Sequence, residues 1–221
     1  MSFEPSLFVD PAALAIVLAG TALGTLARCG WRGMGAGLAG AFGLARRDFD
    51  PAANRAALAR ALQMVRERGV LGADPALPPD RTMRAMLERF LRSRSREAAL
   101  EEADAVRAAH QTQAERAAGV FDTAGELAPV FGLVGTLIAI AQLAPGSAES
   151  MVGLAMGAVA QAVISTLYGV TSAHLVWYPL ARAIERREAA DAAARAGIVR
   201  WFAQELARPR SVRGSPVRGV A

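Results

Sequence analysis

The sequence predicts an all-α membrane protein, with three transmembrane helices and a helical cytoplasmic segment between the first and the second. Two uncharged runs carry this prediction: LAPVFGLVGTLIAIAQLAP at residues 127–145, and residues 150–181, which contain no Asp, Glu, Arg or Lys. A helix needs about 20 apolar residues to cross the hydrocarbon core of a bilayer. A third, shorter run, PAALAIVLAGTALGTLA, begins at Pro11 and ends before Arg28.

The distribution of basic residues predicts the orientation of these spans. The chain has no lysine, so all 25 basic residues are arginine, and none lies in residues 1–27 or 117–181. Because cytoplasmic loops carry the excess of Arg and Lys in membrane proteins, we expect an external amino terminus. The predicted order is a periplasmic amino terminus (1–10), transmembrane helix 1 (11–28), a cytoplasmic helical region (29–126), transmembrane helix 2 (127–145), a periplasmic loop (146–150), transmembrane helix 3 extending into the cytoplasm (151–181) and a cytoplasmic tail (182–221).

The cytoplasmic region reads as helices separated by one loop. In NRAALARALQMVRERG the apolar residues Ala57, Leu58, Leu62 and Val65 share one helix face, and Gly69 ends the pattern. The proline-rich stretch GADPALPPD then predicts a loop, after which one or two long helices lead into the second span. This region serves either to pack the membrane helices or to dock a partner, and the pattern leaves both open.

Other function classes find little support in the sequence. The net charge of +5 does not indicate nucleic-acid binding, because many acids are interspersed with the arginines. Cys29 is the only cysteine, and His110 and His174 are too far apart to suggest a metal cluster. No nucleophile elbow, phosphate-binding glycine loop or HExxH helix is present. We therefore predict neither an enzyme nor a bound cofactor.

The polar residues of the membrane runs are mainly hydroxyls. The second run contains Thr136, and the third contains Ser165, Thr166, Tyr168, Thr171 and Ser172, with His174 as the one residue that qualifies as an ionisable relay group. Intramembrane ionisable residues are costly and normally functional, so an ion-conducting chain of this kind would need a carboxylate from another subunit. Taken singly, each hydroxyl is better explained by a bond to its own helix backbone or to a neighbouring helix. Glycine pairs at Gly20 and Gly24, and at Gly153 and Gly157, suggest close helix packing.

Four stretches of the chain resemble one known family. The run GELAPVFGLVGTLIAIAQL, followed by AVISTLYGVTSAHLVWYPLA, resembles the paired signature of the MotA/TolQ/ExbB proton-channel family, in particular its flagellar-stator MotA branch. The stretches VDPAALAIVLAGTALGTLAR and ALQMVRERGVLGAD resemble the corresponding parts of that branch.

The resemblance implies a role for particular residues. It puts Thr136 and Thr166, with the adjoining Ser165, on the ion pathway, where hydroxyls face an aspartate of a partner helix. It matches Pro129 and Pro179 to the family's prolines that are linked to transmitting a conformational change. It also puts Glu126 where MotA-like chains carry an acid near the cytoplasmic ion exit.

The resemblance also implies partners and a location. We expect a homo-oligomer, with a pentamer implied, around a single-span MotB/ExbD-like partner that carries an intramembrane Asp, in the bacterial inner membrane. The favoured function is a proton-driven or sodium-driven channel that performs mechanical work as a flagellar stator against a rotor protein. The alternatives are an ExbB/TolQ-like energiser of envelope or outer-membrane transport, and a nonconducting membrane scaffold.

Overall fold

The computed structural model describes residues 10–45, 49–142 and 148–208, and every element within them is helical. The elements are α1 (Pro11–Leu44), α2 (Pro51–Gly72), α3 (Arg81–Ser93), α4 (Arg96–Ala141), α5 (Ala148–Ser172), a π turn (Ala173–Trp177) and α6 (Tyr178–Ala207). The predicted all-α fold class is confirmed. Positions 146 and 147 of the predicted loop at 146–150 lie outside the described residues. Positions 148–150 are helical, because α5 begins at Ala148.

Three helical stretches are long and apolar enough to cross a membrane by length and composition: Pro11–Leu44, Arg96–Ala141 and Ala155–Ala207. Each stretch extends past the apolar run that the sequence shows, so each contains both a candidate span and a continuation that carries charged residues. By its contacts the chain divides into two compact units, the first formed by Met1–Arg47 and His110–Ala189, the second by Asp48–Ala109 and Ala190–Ala221.

Helix α1 belongs to the first unit and begins at a clear cap. The Asp10 carboxylate accepts hydrogen bonds from the backbone N–H groups of Ala12 and Ala13, and Pro11 occupies the first helical position. The N–H of Asp10 donates to the Tyr168 hydroxyl at 3.0 Å, which joins the start of α1 to α5. The helix continues past Arg28 to Leu44, but Gly30 has φ +69°, a left-handed conformation that interrupts the helical backbone.

The glycines of α1 bring it against α4. A β-carbon on Gly20 would lie 2.2 Å from Cδ1 of Phe131, and one on Gly24 would lie 2.9 Å from Cε2 of the same ring. The Phe131 ring therefore fills a groove that only glycine leaves open, as the small residues of α1 predict. The second predicted pair behaves differently, because a β-carbon on Gly153 or Gly157 would meet nothing within 4 Å.

The second unit has a core of its own. Leu58, Leu62 and Val65 belong to this core, and Ala57 is also buried, which confirms the predicted face of α2. Gly69 has φ +73°, so it interrupts α2 where the sequence predicts the end of the helix, although helical residues continue beyond it to Gly72. The core is completed by side chains of α3, α4 and α6: Met83, Met86, Leu87, Phe90, Ala99, Ala103, Ile198 and Phe202.

A polar network holds the end of the proline-rich loop in this second unit. The Asp80 carboxylate caps α3 through the N–H groups of Thr82 and Met83, and its Oδ2 accepts a hydrogen bond from Nε of Arg195 at 3.1 Å. The N–H of Asp80 donates to Oδ1 of Asn54, which is itself buried. One acid thus fixes α2, α3 and α6 together.

Candidate functional site

The three hydroxyls that the resemblance puts on an ion pathway meet at one point between α4 and α5. The Thr136 and Thr166 hydroxyl oxygens are 2.9 Å apart and share a hydrogen bond, and Oγ of Ser165 lies 3.4 Å from Oγ1 of Thr136. The carbonyl oxygens of Gly132 and Ala162 lie within 3.2 Å of these hydroxyls. Five oxygen atoms, three from hydroxyls and two from carbonyls, therefore lie close together within runs of apolar residues.

Glycine makes this meeting possible. A β-carbon on Gly169 would lie 2.6 Å from the carbonyl oxygen of Ala128 and 3.1 Å from the Cα atoms of Gly132 and Pro129. A β-carbon on Gly135 would lie 2.8 Å from Cβ of Ser165. The backbones of α4 and α5 thus touch directly, and this contact brings short Ser and Thr side chains of the two helices within hydrogen-bonding distance.

The three hydroxyls differ in exposure. Ser165 is fully buried, and its hydroxyl lies 3.1 Å from the Gly132 carbonyl of the other helix. Thr136 and Thr166 are half-buried, so part of each side chain remains exposed on the surface of the α4–α5 pair. Each threonine hydroxyl also donates a hydrogen bond to the carbonyl four residues earlier in its own helix, which is common for a threonine in a membrane helix. The geometry combines that arrangement with a cross-helix bond.

Glu126 does not lie with the hydroxyls. Its Oε2 accepts a hydrogen bond from Nη1 of Arg28 at 3.1 Å, and both side chains are more than half exposed. This ion pair joins α4 to α1 at the start of the apolar run of α4. Glu126 therefore faces the first span, whereas Thr136 faces the third.

The two predicted coupling prolines have different surroundings. Pro129 lies inside α4, where its Cα is close to Gly169. Pro179 is exposed and is the second residue of α6, directly after the π turn. In that turn the N–H of Tyr178 donates to the carbonyl of Ala173, five residues earlier. A π turn inserts an extra residue and occurs frequently at functional sites.

Two aromatic side chains around the π turn, those of Trp177 and Tyr178, were not singled out from the sequence. The Tyr178 ring lies against Gly125, where a β-carbon would be 2.6 Å from its Cε1 atom. The His174 ring is 5.4 Å from that of Tyr178, and Trp177 stacks on Phe121 at 6.4 Å. The signal for Tyr178 was its position in WYP beside a glycine-containing helix, but the partner glycine lies 53 residues away in sequence.

The described helices thus define a multi-pass, all-helical membrane protein with a seam of hydroxyls between two of its spans. Among the described residues, no group of three or more His, Cys, Asp or Glu could hold a metal ion. A profile of the MotA/TolQ/ExbB proton channel family matches residues 76–195, which is more than half of the chain. The chain belongs to the MotA/TolQ/ExbB proton channel family, as its motifs predict.

Two solved structures share the fold of this chain. The C. jejuni MotAB structure matches with a TM-score of 0.75 and 15% identity, over 92% of this chain and 82% of that one. The flagellar MotAB stator complex from Bacillus subtilis matches with a TM-score of 0.75 and 20% identity, over 93% of this chain and 81% of that one. At these identities the likeness shows the fold alone. No curated protein matches the sequence.

Proposed function

We propose that this chain is the membrane subunit of a proton-driven, MotA-like stator, in which ion flow drives mechanical work. The observation that carries the proposal is the meeting of the Thr136, Ser165 and Thr166 hydroxyls at the contact of α4 and α5. Family membership supports proton conduction, and the fold shared with two MotAB structures supports the stator version.

The chemistry of the spans calls for a partner. Residues 127–145 and 150–181 contain hydroxyls but no carboxylate, and a hydroxyl of ordinary pKa does not carry a proton across a membrane by itself. We propose that a single-span, MotB-like helix supplies an Asp that takes up the proton. Thr136 and Thr166, which are half-buried, would donate to its charged form and accept from its neutral form.

We propose a ring of five subunits around the partner helices, with the amino terminus outside and the arginine-rich helices in the cytoplasm, where they act on a rotor protein. The absence of any basic residue from 1–27 and 117–181 supports this orientation. Protonation of the partner Asp would change its hydrogen-bond needs and so bias the packing at Gly132 and Gly169, near Pro129. Pro179 would transmit that change to α6.

The direct test is proton uptake by liposomes that contain this chain with a single-span partner carrying an intramembrane Asp. Internal pH is followed with a trapped dye under an imposed potential, and the partner Asp→Asn variant is the control. We expect uptake from the native complex and uptake at the level of empty liposomes from the variant. Equal uptake from both would contradict a shared pathway, and no uptake from an assembled complex would favour the nonconducting scaffold.

A further inference from the structure

One stripe of α4 faces the third span and α6 along its whole length. It consists of residues spaced three and four apart, which fall on one side of a helix: Asp122, Gly125, Pro129, Gly132 and Thr136. We call this set the seam stripe.

Contacts at each level confirm which way the seam stripe faces. Thr136 meets Thr166, and Gly132 and Pro129 meet Gly169. Nearer the amino-terminal end of the stripe, Gly125 meets the ring of Tyr178. At that end, Oδ1 of Asp122 lies 3.9 Å from Nη2 of Arg182. Asp122 is therefore the acid that ends the same interhelical seam that contains the hydroxyls.

Glu126 lies on a different side of α4. At about 100° per residue it is turned by about 80° from the middle of the seam stripe, and it pairs with Arg28 of α1. The acid implied by motif position and the acid that the contacts align with Thr136 are thus two different residues, one helical turn apart.

The surroundings of Asp122 differ from those of an ordinary surface acid. Its side chain is 31% exposed, yet its Oδ1 atom is buried without a hydrogen-bond partner among the described residues. The 3.9 Å separation from Arg182 exceeds hydrogen-bonding distance. Arg182 instead donates from Nη1 to Glu185 at 2.7 Å, and this bond raises the pKa of the guanidinium. Asp122 therefore has a nearby opposite charge, but among the described residues no donor forms a hydrogen bond with its Oδ1 atom.

We propose that Asp122, rather than Glu126, is the carboxylate that receives protons at the cytoplasmic end of the seam. The inference rests on the proposed function. A proton that leaves the partner Asp and travels by water below the hydroxyls converts the Asp122 carboxylate to the neutral acid. Arg182 then pairs with Glu185 alone. Loss of the same proton to cytoplasmic water restores the negative charge and the attraction to Arg182.

Tyr178 stands between the hydroxyls and this acid. Asp122 lies 14 residues before Thr136, which is about 21 Å along the helix, so water must bridge the interval. The Tyr178 ring covers Gly125 within it, and Arg182 lies one helical turn after Tyr178 in α6. A change of charge on Asp122 therefore acts on the helix that also carries the ring.

The test compares carboxylate variants in the reconstituted complex with its single-span partner. We expect Asp122→Asn to lower proton uptake by about tenfold or more, because a positioned proton-transfer group typically contributes about 10²–10⁴-fold to the rate of a reaction. Asp122→Glu, which keeps the carboxylate, should retain most of the uptake. Asp104→Asn, an exposed acid of the same helix paired with Arg107, is the matched control and should conduct like the native complex. Complex recovered by size exclusion normalises each rate.

A double variant separates proton transfer from a merely structural ion pair. Asp122→Arg combined with Arg182→Asp keeps an ion pair but moves the carboxylate off α4. If the pair only fastens α4 to α6, this exchange restores uptake lost in Asp122→Asn, and the proposal is overturned. Native uptake from Asp122→Asn, or a loss confined to Glu126→Gln, overturns it as well. Failure of the proposed function is distinguishable, because the native complex then shows no uptake that depends on the partner Asp.

Discussion

Identical side chains have different surroundings within the first unit. Thr136 and Thr166 share a hydrogen bond across two helices. Thr21 and Thr25 of α1 are at most 2% exposed, and their hydroxyls have no hydrogen-bond partner among the described residues. A buried unsatisfied hydroxyl costs about 1–3 kcal/mol, whereas a paired one does not carry that cost. The two threonine pairs therefore provide a comparison in which the residue type is constant and only the environment changes.

The buried ion pair of the second unit gives a prediction about stability. Arg195 and Asp80 are 12% and 9% exposed, and the guanidinium also lies over the Phe49 ring at 5.1 Å. Arg195→Leu leaves the Asp80 carboxylate buried without its cation, so we expect a loss of about 3–5 kcal/mol in the free energy of unfolding. The measurement is denaturant unfolding of the whole chain in detergent, followed by tryptophan fluorescence.

An exposed arginine is the control for that experiment. Arg107 is 50% exposed and pairs with Asp104 one turn away, so Arg107→Leu should change the unfolding free energy by at most about 1 kcal/mol. Equal losses from the two variants would show that the Asp80 network contributes no more than a surface pair.

Helix packing in the first unit depends on the positions of its glycine residues. Gly20→Ala puts a β-carbon 2.2 Å from the Phe131 ring, and we expect overpacking to cost about 1–3 kcal/mol. Gly153→Ala is the matched change in α5, where nothing lies within 4 Å, and should leave the isolated chain unaffected. Thermal unfolding of the two variants in the same detergent makes the comparison. A smaller ring at position 131, as in Phe131→Leu, should recover part of the loss in Gly20→Ala.

The elements were predictable where a local pattern determines them. The face of α2 with Leu58 and Leu62 follows from apolar spacing, and the interruption at Gly69 follows because only glycine readily takes φ +73°. The π turn was not predictable in this way. Its backbone pairing depends on how α5 and α6 pack on α4, and Ala173–Trp177 continues an apolar run without any local mark.

Across the whole chain, the sequence predicted the family and singled out the hydroxyls, but it did not show which acid lies on their side of α4. Thr136 and Thr166 stand in motifs that resemble a known family, and the structure brings them to 2.9 Å. Asp122 is in no such motif, and Arg182, its charged neighbour, is 60 residues further along the chain. A contact of that sequence separation is set by helix register, which hydrophobic patterning alone does not determine.

The most direct test of a proton pathway along the contact of α4 and α5 is proton uptake by two double variants of the reconstituted complex. One removes the seam hydroxyls, Thr136→Val with Thr166→Val, and the other removes the unpartnered ones, Thr21→Val with Thr25→Val. We predict that the first lowers uptake by about tenfold or more, the effect of losing about 1.4 kcal/mol or more of stabilisation along the path, while the second conducts like the native complex. Native uptake from the first, or an equal loss from both, would contradict a proton pathway along the contact of α4 and α5.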